Sequence, residues 1–174
     1  MKKLFLLTTA MTMIITIHLH AQDGPLLYYP FDVGAGIDII DATGNENNAL
    51  MHNMDDTSWV DGKMGMALKF NGVDQYVKST EPFVEPLEAE FTVALWFIAT
   101  PDQDSRVFTL SMGEERLINI RCNENLIGID DKGGLTNESS VYGDLEVTDG
   151  EWHHFALIRT EEFATLYLDG EWLA

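Results

Sequence analysis

The chain has 174 residues, 45% hydrophobic and 22% charged, which suits one ordinary domain with a core of its own and does not suit a disordered chain. Ten basic residues stand against 29 acidic ones, a formal net charge of −19 at pH 7. A surface of that sign repels phosphate backbones and anionic headgroups, so nucleic-acid binding and attachment to acidic lipid are excluded as first readings; a neutral ligand or a hard cation fits better.

In chain order, Lys2 and Lys3 precede an uncharged apolar stretch from Leu4 to Leu19, and Ala21 is a small residue at a cleavage point after "HLHA". The pattern predicts a secretory signal peptide over residues 1–21 and one exported domain over residues 22–174, secreted or at the cell surface, with no stable membrane insertion after the leader is removed. The leader takes two basic residues and no acidic one, so the remainder is more acidic still. The single cysteine, Cys122, forbids an internal disulfide and reads as a small buried residue in "RLINIRC".

Beyond the leader the periodicity is almost entirely that of strands. "LLYYPF" at residues 26–31 is a short aromatic-rich run stopped by Asp32. "TGNENNALMHNMDDTSWVDGK" has little periodicity and reads as a long polar connection, of a length that is often functional. "MALKFNG" sets Met66, Leu68 and Phe70 on one face, and "QYVKS" follows the turn-like Asn71-Gly72. "EFTVALWFIA" places Phe91, Val93, Leu95 and Phe97 on one side and Thr92, Ala94, Trp96 and Ile98 on the other; with both sides apolar, a central strand is expected. "RVFTLSM", "RLINIRC" and "NLIGID" are successive strands, and "WHHFALIRT" and "FATLYLDGEWL" follow. The expected fold class is all-β, an antiparallel β-sandwich or jelly roll. Asp169-Gly170 is a favoured hairpin turn, and the residues from Glu171 to Ala174 begin a return arm, so the sandwich is expected to be C-terminally incomplete.

The ordered series "LLYYPFD", "IDATGNENNAL", "WVDGKMGMALKFNGVDQYV", "FTVALWF", "DGEWHHFALIRT" and "LYLDGE" resembles the laminin-G-like jelly-roll modules of the concanavalin A-like lectin/glucanase superfamily, from about Leu26 to Glu171. What the resemblance implies is a β-sandwich that binds carbohydrate or protein outside the cell, often with a structural calcium. It also implies a final strand with an acidic pair, which these residues do not contain.

Trp152, His153 and His154 invite a reactive reading. On a strand His153 and His154 diverge, and the chain has no HExxH, no Gly-x-Ser-x-Gly and no Cys/His ligand set, so they are read as structural. Glycoside hydrolysis needs two carboxyl groups facing across a sugar. The Glu-x-Asp-x-x-Glu run of jelly-roll glucanases is absent; Glu85, Glu88 and Glu90 lie in a proline-bounded turn, and Asp144, Glu146, Asp149 and Glu151 surround a turn, so all are read as solvated loop carboxylates. Calcium collects six to eight oxygens from turns. The resemblance makes Asp32 and the Asn71-Gly72 turn its leading ligands, with Asp41 and Asn45 behind them, although Asp and Asn populate turns for local reasons as well. Sugar sites combine an aromatic with amide or carboxylate hydrogen bonds; Trp59, Tyr76 and Tyr142 are the ligand candidates, with Trp172 beside them, and each equally suits a core or rim position. The expected function is a non-catalytic module binding a glycan or an extracellular protein. The alternatives are a glycoside hydrolase or its accessory module, and a structural spacer in an adhesin.

Overall fold

In the computed structural model the described residues are 24–82, 90–101, 105–112, 115–131, 140–160 and 163–174. The expected leader lies outside them, as do Glu85 and Glu88. In chain order the strands are β1 (Asp38–Ile39), β2 (Ala49–His52), β3 (Trp59–Asp61), β4 (Met66–Leu68), β5 (Tyr76–Ser79), β6 (Phe91–Phe97), β7 (Ser105–Met112), β8 (Glu115–Asn123), β9 (Leu126–Asp131), β10 (Ser140–Glu146), β11 (His153–Arg159), β12 (Ala164–Leu168) and β13 (Glu171–Trp172). One 3₁₀ turn, Asp56–Ser58, starts at Asp55, whose carboxylate accepts from the Thr57 N–H.

All pairing is antiparallel. Two four-stranded sheets, in the orders β10-β9-β8-β7 and β13-β12-β11-β6, face each other through a shared core. The first contributes Leu110, Ile118, Ile120, Cys122, Ile127 and Ile129, and the second Phe97, Phe155, Leu157, Leu166, Leu168 and Leu173. The two-residue period dictates this division: on β11 Phe155 and Leu157 are fully buried, whereas Ile158 on the opposite face is exposed. Burying a side chain such as Phe155 contributes about 1.5–3 kcal/mol. A smaller cluster around Ile39, Ala49, Met51 and Trp59 joins the sheet β1-β2-β5 to the hairpin β3-β4.

Two turns fix the register. Glu124-Asn125 joins β8 to β9 and Asp169-Gly170 joins β12 to β13, and all four residues have positive φ, between 50° and 87°. Positive φ at both central residues matches the twist of the flanking strands, and it explains why Asp169-Gly170 is legible as a hairpin turn. Across the sandwich Leu173 packs onto Gly143 of β10 so closely that a Cβ there would lie 2.3 Å from it.

Three expectations change. "LLYYPF" forms no strand: Phe31 has φ 58°, and the segment is held by Ala42 N–H donating to Tyr28 O and by Asp41. The long polar connection contains β2 and β3, each too short to show alternation in the sequence. Among the described residues β6 pairs only with β11 and ends its sheet, so it is not central, and its second apolar face is open to solvent.

Candidate functional site

The open face of the sheet β13-β12-β11-β6 is built by register. Trp96 stands opposite His154, Ala94 opposite Ala156, Ala156 opposite Tyr167, and Tyr167 opposite Trp172. Cross-strand partners share a face, so two alanines form a low floor with Trp96 at one end and Tyr167 and Trp172 at the other. Trp96 is 43% exposed and Trp172 70%, large apolar groups that the core leaves outside. The Trp96 ring has two close neighbours: the His154 ring centroid is 5.0 Å away, and Lys63 Nζ, from the β3-β4 turn, lies 5.4 Å from the ring centroid.

Behind this trough the β12-β13 turn is anchored by charge. Asp169 Oδ1 accepts the His154 backbone N–H at 2.8 Å, and Oδ2 lies 2.8 Å from His153 Nδ1. The other ring nitrogen of His153 is 3.1 Å from Asp149 Oδ1. Burial of the His153 ring opposes its charge, but the hydrogen bonds it donates to Asp169 and Asp149 outweigh burial and hold its pKa above the ordinary 6.5. Asp169 is held below the ordinary 3.8: burial works against its charge, and the His154 N–H and the His153 ring prevail.

The outer face of the other large sheet is polar. Asp130 on β9 accepts from Tyr142 Oη at 2.8 Å and Ser140 Oγ at 2.9 Å, and it pairs with the Arg121 guanidinium. Burial raises the Asp130 pKa and these three donors lower it further than burial raises it, so the carboxylate stays ionised. Tyr142 covers Gly128 of β9, where a Cβ would lie 2.6 Å from its ring and 2.2 Å from Val141 O. Tyr142 therefore locks a strand pair and holds a carboxylate through its hydroxyl.

Residues 71–173 match a laminin-G family model described as the concanavalin A-like lectin/glucanases superfamily. The chain belongs to this superfamily. A crystal structure of an S-layer domain-containing protein (residues 221–444) from Clostridium thermocellum is 22% identical and covers 85% of this chain and 70% of that one, with a TM-score of 0.56. At that identity the likeness is one of fold. No curated protein matches the chain.

In this laminin-G-like chain the aromatic candidates separate. Trp59 is buried, donates its indole N–H to Gly36 O at 3.1 Å, and forms one wall of an apolar cavity of about 260 Å³ with Phe31, Ile39 and Ile40. Tyr76 is exposed and stacks on His52 with centroids 4.6 Å apart. Tyr142 is on the polar sheet face. The structure does not bring the three together. Trp172 reaches the trough, joined by Trp96 and Tyr167, which sequence reasoning passed over; the apolar outer row of "FTVALWF" was the signal for Trp96.

The expected calcium ligands are likewise engaged at separate turns. Asp41, 5% exposed, accepts from the N–H groups of Tyr28, Thr43 and Asn47 and from Thr43 Oγ1. Burial raises its pKa, but the Thr43, Tyr28 and Asn47 hydrogen bonds carry it below 3.8. Asn45 donates its amide to Leu26 O. Asn71 Oδ1 accepts the N–H groups of Val73, Asp74 and Gln75, closing a turn in which Gly72 has φ 71°. Asp32 sets its carboxylate against Gly65 in the β3-β4 turn. Among the described residues no three His, Cys, Asp or Glu side chains converge as metal ligands. The oxygens of Asp41 and Asn71 are spent on N–H donors, so these residues do not fit a six- to eight-oxygen calcium shell. Of the acidic residues weighed for hydrolysis, Glu90, Asp144, Glu146 and Glu151 are exposed, with Asp144 and Glu146 on a strand rather than in a loop, and Asp149 accepts the Glu151 N–H. Among the described residues no helix is long and apolar enough to cross a membrane.

Proposed function

We propose that the chain is an exported, non-catalytic binding module whose ligand is a glycan, held in the trough between Trp96 and Trp172. The observation that carries this reading is the pair of exposed tryptophans at the two ends of an alanine floor on a four-stranded sheet. The apolar C–H face of a sugar ring stacks on such rings, and a sheet presents them without an ordering cost. Superfamily membership supports a binding role, and the likeness in fold to an S-layer domain-containing protein agrees with a place at the cell exterior.

A glycan array read with the protein and with Trp172→Ala and Trp96→Ala tests the proposal. Binding to a defined glycan class, weakened at least about tenfold in each variant at unchanged melting temperature, is expected. Retention of full affinity in the double variant would remove the trough from the reading, and release of reducing ends would replace it with hydrolysis. A protein ligand is the second reading, favoured by the exposed Ile158 on the same face.

A further inference from the structure

His153 is gripped from both sides. Nδ1 lies 2.8 Å from Asp169 Oδ2 and Nε2 3.1 Å from Asp149 Oδ1, and the side chain is 13% exposed. A neutral imidazole carries one N–H and one lone pair, so in that state one contact would set a lone pair against a carboxylate oxygen. Only the imidazolium donates to both. The two carboxylates belong to different turns: Asp149 precedes Gly150 in the turn into β11, and Asp169 precedes Gly170 in the turn between β12 and β13. We propose that His153 is a proton-operated clasp, which ties these two turns together when protonated and frees the β12-β13 hairpin when the proton leaves.

The groups facing the ring are few. Asp149 and Asp169 supply the charge; from β6 the neighbour is Phe97, with ring centroids 5.9 Å apart, and His154 acts on Asp169 through its own charge. Because the clasped state binds the proton more tightly than the open one, the clasp is complete below the ordinary imidazole pKa of 6.5 and is lost as pH rises through the raised value. On the acid side it is lost when Asp149 and Asp169 protonate, below the ordinary 3.8: the Glu151 N–H and the His153 ring lower Asp149, and the His154 N–H and the same ring lower Asp169 against its burial. What opens is local. β13 is two residues long, so the Leu173 N–H bond to Leu166 O just beyond it loosens with the hairpin, while the core between the two sheets stays packed.

The test is ring-nitrogen NMR of His153 together with amide hydrogen exchange at Leu173, from pH 5 to pH 10 on the whole chain. The ring is expected to lose its second proton with a midpoint above the ordinary 6.5, both nitrogens being protonated below it. Leu173 exchange, after correction for intrinsic base catalysis, is expected to accelerate at least about tenfold across that midpoint, with Ile127 and Ile129 unaffected. His153→Gln should give fast Leu173 exchange at every pH, and Asp149→Asn, a change at an exposed side chain, should move the midpoint down toward 6.5. A His153 midpoint at or below 6.5, or Leu173 exchange with the same pH dependence in wild type and His153→Gln, overturns the proposal. If His153→Gln does not fold, Asp149→Asn decides alone: an unmoved midpoint overturns it.

Discussion

Asp41 shows how far a single side chain can set a local structure here. Its carboxylate gathers three backbone N–H groups and the Thr43 hydroxyl within a loop that crosses back over Tyr28, and its charge, second to burial, helps push the Tyr29 hydroxyl up to about 12. Asp41→Ala leaves those donors without an acceptor, each buried one costing about 1–3 kcal/mol, so a loss of at least about 3 kcal/mol is expected in urea denaturation. Asp41→Asn puts an amide NH₂ where Asn47 N–H or Thr43 Oγ1 donates, and should recover only part of that loss. Because the loop is held by N–H donors, calcium or a chelator should leave the melting temperature within about 1 °C, a difference readily seen by calorimetry. The sequence shows an Asp and two Asn in a turn; it does not show whether protein donors or an ion fill the carboxylate, since both select the same residue types.

At the level of elements, strand length decided what was legible. β6, β11 and β12 run five to seven residues and display their alternation openly, so their inner and outer faces can be read from the sequence alone. β2 and β3 have four and three residues, two full periods at most, and β10 is interrupted by Gly143 and by a register shift between Tyr142 and Glu146. Gly143 is where Leu173 crosses from the opposite sheet; Gly143→Ala should cost about 1–3 kcal/mol through that collision, whereas Gly150→Ala meets no atom and is penalised only by its φ of 81°. The β8-β9 turn makes a converse prediction. Glu124 at φ 50° occupies a position that Asn tolerates better, so Glu124→Asn should raise stability by roughly 0.5 kcal/mol with no change in denaturant m-value. The apolar outer row of β6 was visible in the sequence but pointed to the wrong place: apolar residues on both faces fit a buried central strand and an exposed binding strand equally, and only pairing tells them apart.

For the molecule as a whole, two sheets sharing one core imply that stability concentrates between them. Phe155 and Leu157 sit at the centre with no solvent exposure, and Phe155→Ala should cost about 3–5 kcal/mol, enough to shift a chemical-denaturation midpoint clearly. Acid should act differently: Asp41, Asp130 and Asp169 all have lowered pKa values, so the stability they contribute is present above the ordinary 3.8 and drains away as pH falls beneath it. A melting-temperature profile that begins to drop well above pH 5 would contradict this assignment. Chain order and period made the sandwich legible; the trough was not, because it joins residues about 75 positions apart through cross-strand pairing that no local pattern encodes.

Cys122 lies in the centre of that interior, and burial pushes its thiol up to about 11. A maleimide or disulfide reagent therefore meets no competent nucleophile on the native chain at neutral pH. A cysteine introduced in place of the exposed Glu171, which leaves Trp172 intact, would then be the sole labelling handle, and a fluorophore attached there would report directly on movement of the hairpin.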